Sequence, residues 1–418
     1  MNFAAAQQLL LAPDADVPQR DALLDARLME QRLSVELRKR GMTATDGCEI
    51  ARVKYSFGKN IRVLYHLRFG EKSLGVAART FGSKRIAEIG RQRKTDSNSA
   101  PNLLDQGLRT AFWIFPNDRK ICGLEVLTTI PGELKTSAPG WGTSRVVAYA
   151  PEKCATAECI DNGGEVIAYA KVFAGDSGRR IAGIYEHLRD SNLKVPRVLG
   201  YSESHRTLVL EAIRGARLAD LVESSATVYQ KLGTSIARFH SVPPHGHLPR
   251  FKRLEPNEIR RALNTILSAR PDVVVQATRL FDKLTAFSFS AEPEVCIHGD
   301  VHPKNAVWKD GTLTLIDLDQ VSIGDAAADI GSFLAGLHYK ECVGQMSAEI
   351  REGISKGFLE GYAEIRPLPS ERSLRWHTAA ALFAERSLRA ITRVRVEGLE
   401  NIGRILATGE KVLRGEDR

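Results

Sequence analysis

The period of the hydrophobic residues changes three times along the chain. Over residues 1–45, Leu9, Leu10, Leu11, Leu23, Leu24, Leu28 and Leu33 recur among polar positions, a helical pattern. From Cys48 the alternation becomes strand-like: "CEIARVKYSF", "IRVLYHLRF" and "SLGVAARTF" are separated by the turns "GKN" and "GEK". A basic stretch from Ser83 to Arg93 reads as a helix, and the polar connector "KTDSNSAPN" follows it. The apolar "TAFWIFPNDRKICGLEVL" then ends before the loop "SAPGWGT". Alternation returns in "SRVVAYA", "CATAECI" and "EVIAYAKVF", the last two joined by "DNGG". From Leu208 the chain passes through "LVLEAIRGARLADL" and turns mainly helical. Leu221, Val228, Leu232, Ile236 and Phe239 keep helical spacing over Ala219–Ser241. Further helices are expected over 256–268, 272–285, 344–363 and 371–413, with a single β segment ahead of residue 320.

The two β-rich regions can be laid on each other. Tyr55 matches Tyr149, Lys59 matches Lys153, Ala78 matches Ala170, and Phe81 matches Phe173. "RIA" at Arg85–Ala87 repeats at Arg180–Ala182, and "PNDRKICGLEVL" echoes "DSNLKVPRVLGY". The common order points to a degenerate duplication of a three-strand-plus-helix unit; chance likeness between two meanders is the alternative. In the first copy Arg79 stands where the second has Lys171, and Arg91 where it has Glu186, so the first copy is expected to lack chemistry.

Bulk properties narrow the class. A chain of 418 residues exceeds what one core usually serves, so two or three structural units are expected. With 43% hydrophobic and 26% charged residues the composition is that of an ordinary soluble protein. No apolar run approaches the ~18 residues of a membrane span, and the opening "MNFAAAQQLLLAPDAD" lacks the basic start of a cleaved signal. Six cysteines are scattered without a CxxC pair, which fits reduced thiols in the cytoplasm better than a disulfide framework or zinc site. The net charge of +9 comes from 59 basic and 50 acidic residues mixed along the chain. With no basic block interleaved with aromatics, nucleotide phosphates explain that balance more economically than nucleic acid does.

The densest chemistry lies in "CIHGDVHPKNAVWKDGTLTLIDLD", Cys296 to Asp319. Asp300 follows the strand-like "EVCI" on a turn where Gly299 relieves crowding and Pro303 stops a helix. A carboxylate there can accept a proton from a hydroxyl. Asn305 offers a neutral oxygen and Asp317 a charged one, and two strands joined by "KDGT" bring them together. A hard cation such as Mg²⁺ takes oxygen ligands and leaves room for substrate phosphates. The set is that of a phosphoryl transferase, in which positioning and charge neutralisation do most of the work. His298 and His302 have the spacing of a zinc pair, but Gly299 and Pro303 oppose the helix such a pair needs. Asp310-Gly311 reads as a plain turn former, and no GxSxG elbow supports serine hydrolysis.

The segment "HGDVHPKN…LIDLD" resembles the catalytic hairpin of the aminoglycoside phosphotransferase and choline kinase group, relatives of the protein kinases. His298, Gly299, Asp300, Asn305, Ile316 and Asp317 match its motif. The resemblance implies an α+β, two-lobed protein-kinase-like fold: a small antiparallel-sheet N-lobe over 143–213 and a mainly helical C-lobe over 214–418. An N-terminal α+β cap domain over 1–142, similar in placement to that of bacterial maltokinases, would precede it as a degenerate duplicate of the N-lobe. By the same resemblance Asp300 is the catalytic base, Asn305 and Asp317 hold Mg²⁺, and ATP is the phosphoryl donor. Asp325 and Asp329, in "GDAAADIGSF", brace the loops with His298, and Asp319 supports the site. Lys171, in the third strand, is expected on the nucleotide phosphates with Glu186 as its helix partner. "LVLEAIRG" is similar to the family's hinge, placing adenine at backbone groups around Glu211 to Ile213, and His240 matches a structural histidine. One departure stands out: the turn expected to carry a glycine-rich phosphate loop is "APEK", so phosphate cover falls to Lys153 or to the preceding domain.

Arg386, Arg389 and Arg393 fall at i, i+3 and i+7, one helical stripe. If it lines the acceptor cleft, it repels polycations and favours a neutral or anionic acceptor; pairing with Glu385 and Glu397 on an outer face is the alternative. The expected activity is therefore ATP- and Mg²⁺-dependent phosphorylation of a small-molecule hydroxyl, with a sugar or sugar derivative as the favoured acceptor. An antibiotic phosphotransferase and a regulatory pseudokinase are the alternatives. No nucleic-acid or membrane partner is expected, and the oligomeric state is not encoded in any of these features.

Overall fold

The computed structural model describes residues 10–42, 45–92, 100–191, 193–221, 226–244, 248–288 and 292–416. Leu9, most of the connector "KTDSNSAPN" and the Arg91 side chain lie outside these. The chain divides into two compact units. The first comprises Met1–Ala182, Val198–Ala212 and Thr392–Val394, and the second Gly183–Arg197, Ile213–Ile391 and Arg395–Arg418.

In the first unit, α1 (Ala26–Arg38) starts at Asp25, whose carboxylate accepts the Arg27 and Leu28 N–H groups. Among the described residues of 1–45, the helical expectation holds for Arg20–Leu23 and α1. Residues 10–19 form turns, because Asp14 draws the Asp16 and Val17 N–H groups onto its carboxylate and competes with a helix. Then come β1 (Gly47–Ser56), β2 (Asn60–Phe69) and β3 (Lys72–Thr80), an antiparallel meander, and α2 (Ser83–Gln92). With β4 (Leu103–Asp105) and β5 (Thr110–Ile114) they make a sheet of order β1-β2-β3-β5-β4. The pattern repeats in β6 (Thr143–Ala150), β7 (Cys154–Ile160), β8 (Val166–Phe173), β9 (Val198–Ser202) and β10 (Thr207–Glu211), ordered β6-β7-β8-β10-β9. The helix α3 (Ser177–Asp190) follows β8 as α2 follows β3.

The two sheets match in detail. Arg79 pairs with Arg62 on β2, and Lys171 pairs with Thr156 on β7, the corresponding positions in the two meanders. Tyr55 donates its hydroxyl to Asp14 at 2.5 Å, and Tyr149 donates to Asp118 at 2.7 Å. The other face of each interaction repeats too: Asp14 accepts the Gly58 N–H at 2.9 Å, and Asp118 accepts the Glu152 N–H at 3.0 Å. Gly58 and Glu152 both hold left-handed backbone, φ +68° and +64°. The echo of "PNDRKICGLEVL" in "DSNLKVPRVLGY" is not structural. Val198–Ser202 corresponds in strand order to Leu103–Asp105, whereas Leu124–Leu127 is a 3₁₀ turn. Both stretches mix charges with aliphatics, and composition alone cannot tell such segments apart.

Small residues on alternate positions of β7 and β8 give the second sheet a flat inner face: Ala155, Ala157, Ala168, Ala170 and Val172 are buried. They share one hydrophobic core with Leu64, Ala77, Trp113 and Trp141.

The second unit is mainly helical: α4 (Ala226–His240), α5 (Pro256–Ala269), α6 (Val274–Ala286), α7 (Ala326–Cys342), α8 (Ala348–Ala363) and α9 (Glu371–Ala381). The expected single helix over 371–413 is broken. A π turn occupies Leu382–Ser387, a short helix ends at Thr392, and Val394 adopts φ +50° before the chain resumes in the short helix Val396–Glu400 and a last helix, Ile402–Arg414. The same region contains more β structure than the hydrophobic pattern announces. β11 (Ala216–Arg217) joins β13 (Ala306–Lys309) and β14 (Thr312–Leu315), while β12 (Glu294–Ile297) pairs with β15 (Ser322–Asp325). Strands of two to four residues carry too short a pattern to be read alone. Among the described residues no helix is long and apolar enough to cross a membrane, and all six cysteines are free thiols.

The Asp118 carboxylate accepts hydrogen bonds from Tyr149, Glu152, Lys120 and Ile121. Asp118→Ala is expected to lower stability by about 3–5 kcal/mol, and Tyr149→Phe by about 1–2 kcal/mol. Urea unfolding of both variants checks the order; equal small losses would contradict it.

Candidate active site

The site in the second unit is built around a turn and a hairpin. β12 delivers His298, which is 1% exposed, to a turn that only glycine can make. Gly299 has φ +76°, and a Cβ there would stand 2.3 Å from the Gln320 carbonyl oxygen. Asp329, in the first turn of α7, holds this backbone: it accepts the His298 N–H at 2.7 Å and the Gly299 N–H at 2.8 Å. His240, at the end of α4, hydrogen-bonds the same carboxylate at 3.1 Å and Tyr362 at 2.9 Å. Burial alone would raise the Asp329 carboxyl, but His240, His298 and the Gly299 N–H hold it below the usual carboxylate range. Asp325 caps α7 by accepting the Ala327 N–H at 2.7 Å. Both ring nitrogens of His298 are engaged. Nε2 lies 3.2 Å from the Ile316 carbonyl oxygen, and Nδ1 accepts the Asp300 N–H at 3.3 Å. His302 caps the turn over Pro303–Asn305 by accepting the Lys304 N–H. The histidine pair thus serves the loop, and neither residue lies on a helix.

Asp300, half-buried, is tied to Asn305, whose Nδ2 donates to the Asp300 carbonyl at 2.9 Å and to its Oδ2 at 3.3 Å. This leaves the Asn305 Oδ1 as the group available to a cation. The β13–β14 ladder runs from Lys309↔Thr312 to Ala306↔Leu315, closed by Asp310 and Gly311 at φ +47° and +79°. The Ile316 N–H donates to the Asn305 carbonyl at 2.9 Å, so Asp317 leaves the ladder beside Asn305. Asp317 is exposed and sits in the left-handed region, φ +59°, ψ +58°, an uncommon state for a non-glycine residue that sites of chemistry tolerate. Asp319 lies in the following 3₁₀ turn, Leu318–Gln320. Among the described residues no group of three or more His, Cys, Asp or Glu could hold a metal by itself. One amide oxygen and one carboxylate do fit Mg²⁺, which takes few protein ligands and completes its shell with water and phosphates.

Beside Asp300 the environment is cationic, which the motif did not reveal. Burial lowers the His302 imidazole to about 4, with Arg386, Lys340 and Lys304 adding to the shift and Asp300 opposing it. Burial also lowers the Arg386 guanidinium to about 10; Arg389 and Arg253 act in the same direction, Glu385 and Asp300 against it. Glu385 is fully buried; it lies 3.2 Å from Arg253 and accepts the Ser332 hydroxyl at 2.8 Å. The expected Arg386–Arg389–Arg393 stripe does not exist as such. The π turn shifts the helical phase at Arg386, and Arg393 falls in the first unit. Arg253 and Lys340, far away in sequence, carry no local signal.

In the first unit Lys171 lies half-buried on β8, opposite the buried Ala168, Ala170 and Val172, as the alternation predicts. Its Nζ is 5.8 Å from the Phe173 ring centre. Glu211 ends β10, and the chain leaves the first unit after Ala212, so Ile213 opens the next segment of the second. Glu186 is an exposed residue of α3, in the part of the helix assigned to the second unit. Lys153 lines a cavity of the first unit whose walls do not include Lys171.

Against known proteins, the model of the "phosphotransferase enzyme family" matches residues 173–368, just under half of the chain. No curated protein matches. Solved structures similar to this chain include an amicoumacin kinase, hAmiN, in complex with AMP-PNP, Ca²⁺ and Ami (15% identity, TM-score 0.48, 64% of this chain and 88% of that one). Another is a thermostable mutant of aminoglycoside phosphotransferase APH(4)-Ia (16%, 0.49, 66% and 94%). A third is choline kinase from Cryptosporidium parvum Iowa II (12%, 0.47, 69% and 94%). The class defined is that of enzymes that transfer a phosphoryl group to a hydroxyl. Within it, residues 173–368 are similar to the phosphotransferase enzyme family.

His302 is expected to titrate near pH 4 by NMR. Its folded-state value lies below the ordinary 6.5, so the unfolded chain binds more protons between the two, and stability falls as pH drops through that window. His302→Asn is expected to flatten this part of the stability profile. A His302 titration at 6 or above would contradict the assignment.

Proposed function

We propose that this protein is an ATP- and Mg²⁺-dependent kinase of a neutral or anionic small molecule, with a sugar or sugar derivative as the favoured acceptor. The observation that carries the reading is the fixed set at the hairpin: Asp300 locked through Asn305, with Asp317 emerging beside it. Asp300 accepts the proton of the attacking hydroxyl, and its backbone is fixed by the Asp329 network, so the carboxylate is positioned before the acceptor arrives. Asn305 and Asp317 would hold Mg²⁺, which when bound neutralises charge on the nucleotide phosphates. Lys171 would bind the α- and β-phosphates with Glu186 as its partner, and backbone groups from Glu211 to Ile213 would receive adenine. His298, Asp325 and Asp329 support the loop; Asp319 is assigned to the same supporting role.

Acceptor charge follows from the surroundings of Asp300. Lys304, Lys340 and Arg386 place positive charge near the base, and a polycationic aminoglycoside would meet repulsion there. A hydroxyl compound bearing a carboxylate or phosphate would gain instead. The glycine-free turn 151–153 is the feature that favours a pseudokinase; a locked base beside two oxygen ligands has no use in a pure scaffold.

Purified protein with ATP and Mg²⁺, offered pooled neutral sugars, sugar acids, sugar phosphates and aminoglycosides, tests both points. Acceptor-dependent ADP release is expected with a neutral or anionic sugar and is expected to fall about 10²–10⁴-fold in Asp300→Asn. Lys304→Glu is expected to lower kcat/KM for an anionic acceptor by about tenfold. Unchanged turnover in Asp300→Asn, or preference for aminoglycosides, would overturn the corresponding claim.

A further inference from the structure

The first unit contains a cavity of about 410 Å³, within the ~300–1,000 Å³ range of small-molecule sites. Its walls carry six cations, Arg52, Lys54, Arg62, Lys120, Lys153 and Arg393, against one carboxylate, Glu152. That carboxylate is already committed. Its side chain is 4% exposed and is bridged by Arg62 at 3.2 Å, Arg119 at 3.3 Å and Arg79 at shorter range.

Two features show that this arrangement is specific. Glu152 occupies the left-handed position that Gly58 fills in the first copy, so a side chain is kept where the backbone disfavours one. Arg79, which grips it, stands at the strand position that Lys171 holds in the second copy. The phosphate-lysine position of the first copy thus still binds an anion, supplied by the protein. Yet one carboxylate does not balance the cluster. The Nε atoms of Arg62 and Arg79 are buried and make no hydrogen bond within the protein. Among the described residues the ammonium groups of Lys54 and Lys153 have no ion-pair or hydrogen-bond partner. Desolvation lowers the Lys54 ammonium, and the charges of Arg62, Arg393, Lys153 and Arg52 add to it. Like charges crowded into a concave wall repel, and a bound multivalent anion relieves that repulsion. Arginine forks and lysines together are the donor set for phosphate groups.

We infer that this cavity is a binding site for a small molecule carrying two or more phosphate groups, separate from the transfer chemistry. Its walls contain neither the base nor a proposed metal ligand; Lys153 is the one residue shared with the expected nucleotide contacts, and the test reads binding apart from transfer.

Pyrophosphate binding to the full chain, followed by isothermal titration calorimetry without Mg²⁺, provides the test. Binding is expected in the native protein, to weaken at least about tenfold in Arg52→Glu/Lys54→Glu, and to persist in Lys171→Met. Arg52 and Lys54 are exposed on β1, and a far-UV spectrum confirms the fold. Glu152→Gln removes the competing charge and is expected to tighten binding, a gain that damage to the fold cannot produce. If ADP binds native protein at two sites and Arg52→Glu/Lys54→Glu at one, the phosphates are a nucleotide's; pyrophosphate binding with only one ADP site assigns a non-nucleotide phosphate. Pyrophosphate affinity that ignores the double variant, or that vanishes in Lys171→Met, overturns the inference. Phosphoryl transfer is read separately, so loss of either result leaves the other standing.

Discussion

The Asp329 carboxylate is the contact on which the turn at His298–Asp300 rests. It is buried, and it stays ionised because a histidine and two backbone N–H groups point at it. Those two N–H groups belong to His298 and Gly299, the residues that aim Asp300. Position and charge are therefore set by one group on α7, with His240 and Tyr362 fixing it from behind. A buried carboxylate with fewer donors would take up a proton and release the turn.

The first unit holds the same sheet order twice. Strand order, the tyrosine–aspartate bond and the left-handed turn are retained in both. What differs is charge. Lys171 lies beside the Phe173 ring in the second sheet, whereas Arg62 and Arg79 of the first sheet and Arg119 from the loop after it converge on Glu152. The missing glycine in "APEK" is then no simple loss: the turn is tied down by its glutamate, an arrangement a glycine could not make.

Much of this was legible in the chain. Strands with full alternation, from "CATAECI" to "EVIAYAKVF", fall within one or two residues of where the pattern puts them, and the hairpin geometry is local enough to be read from spacing. Tyr55 and Tyr149 were recognisable as a pair. Their partners Asp14 and Asp118 were not, because a side-chain hydrogen bond 41 or 31 residues away leaves no period. The arginine stripe failed for a related reason: a π turn at Leu382–Ser387 changes the phase of the helix without changing its composition. Arg253, Lys340 and Glu385 come together only through tertiary packing.

The central claim is that Asn305 and Asp317 present oxygen to a nucleotide-bound divalent cation while Asp300 stays free for the proton. Mn²⁺ binding in the presence of ADP, followed by electron paramagnetic resonance, tests it most directly. The account predicts that Mn²⁺ uptake survives in Asp300→Asn and drops at least about tenfold in Asp317→Asn and Asn305→Ala. Full Mn²⁺ uptake in Asp317→Asn would contradict it.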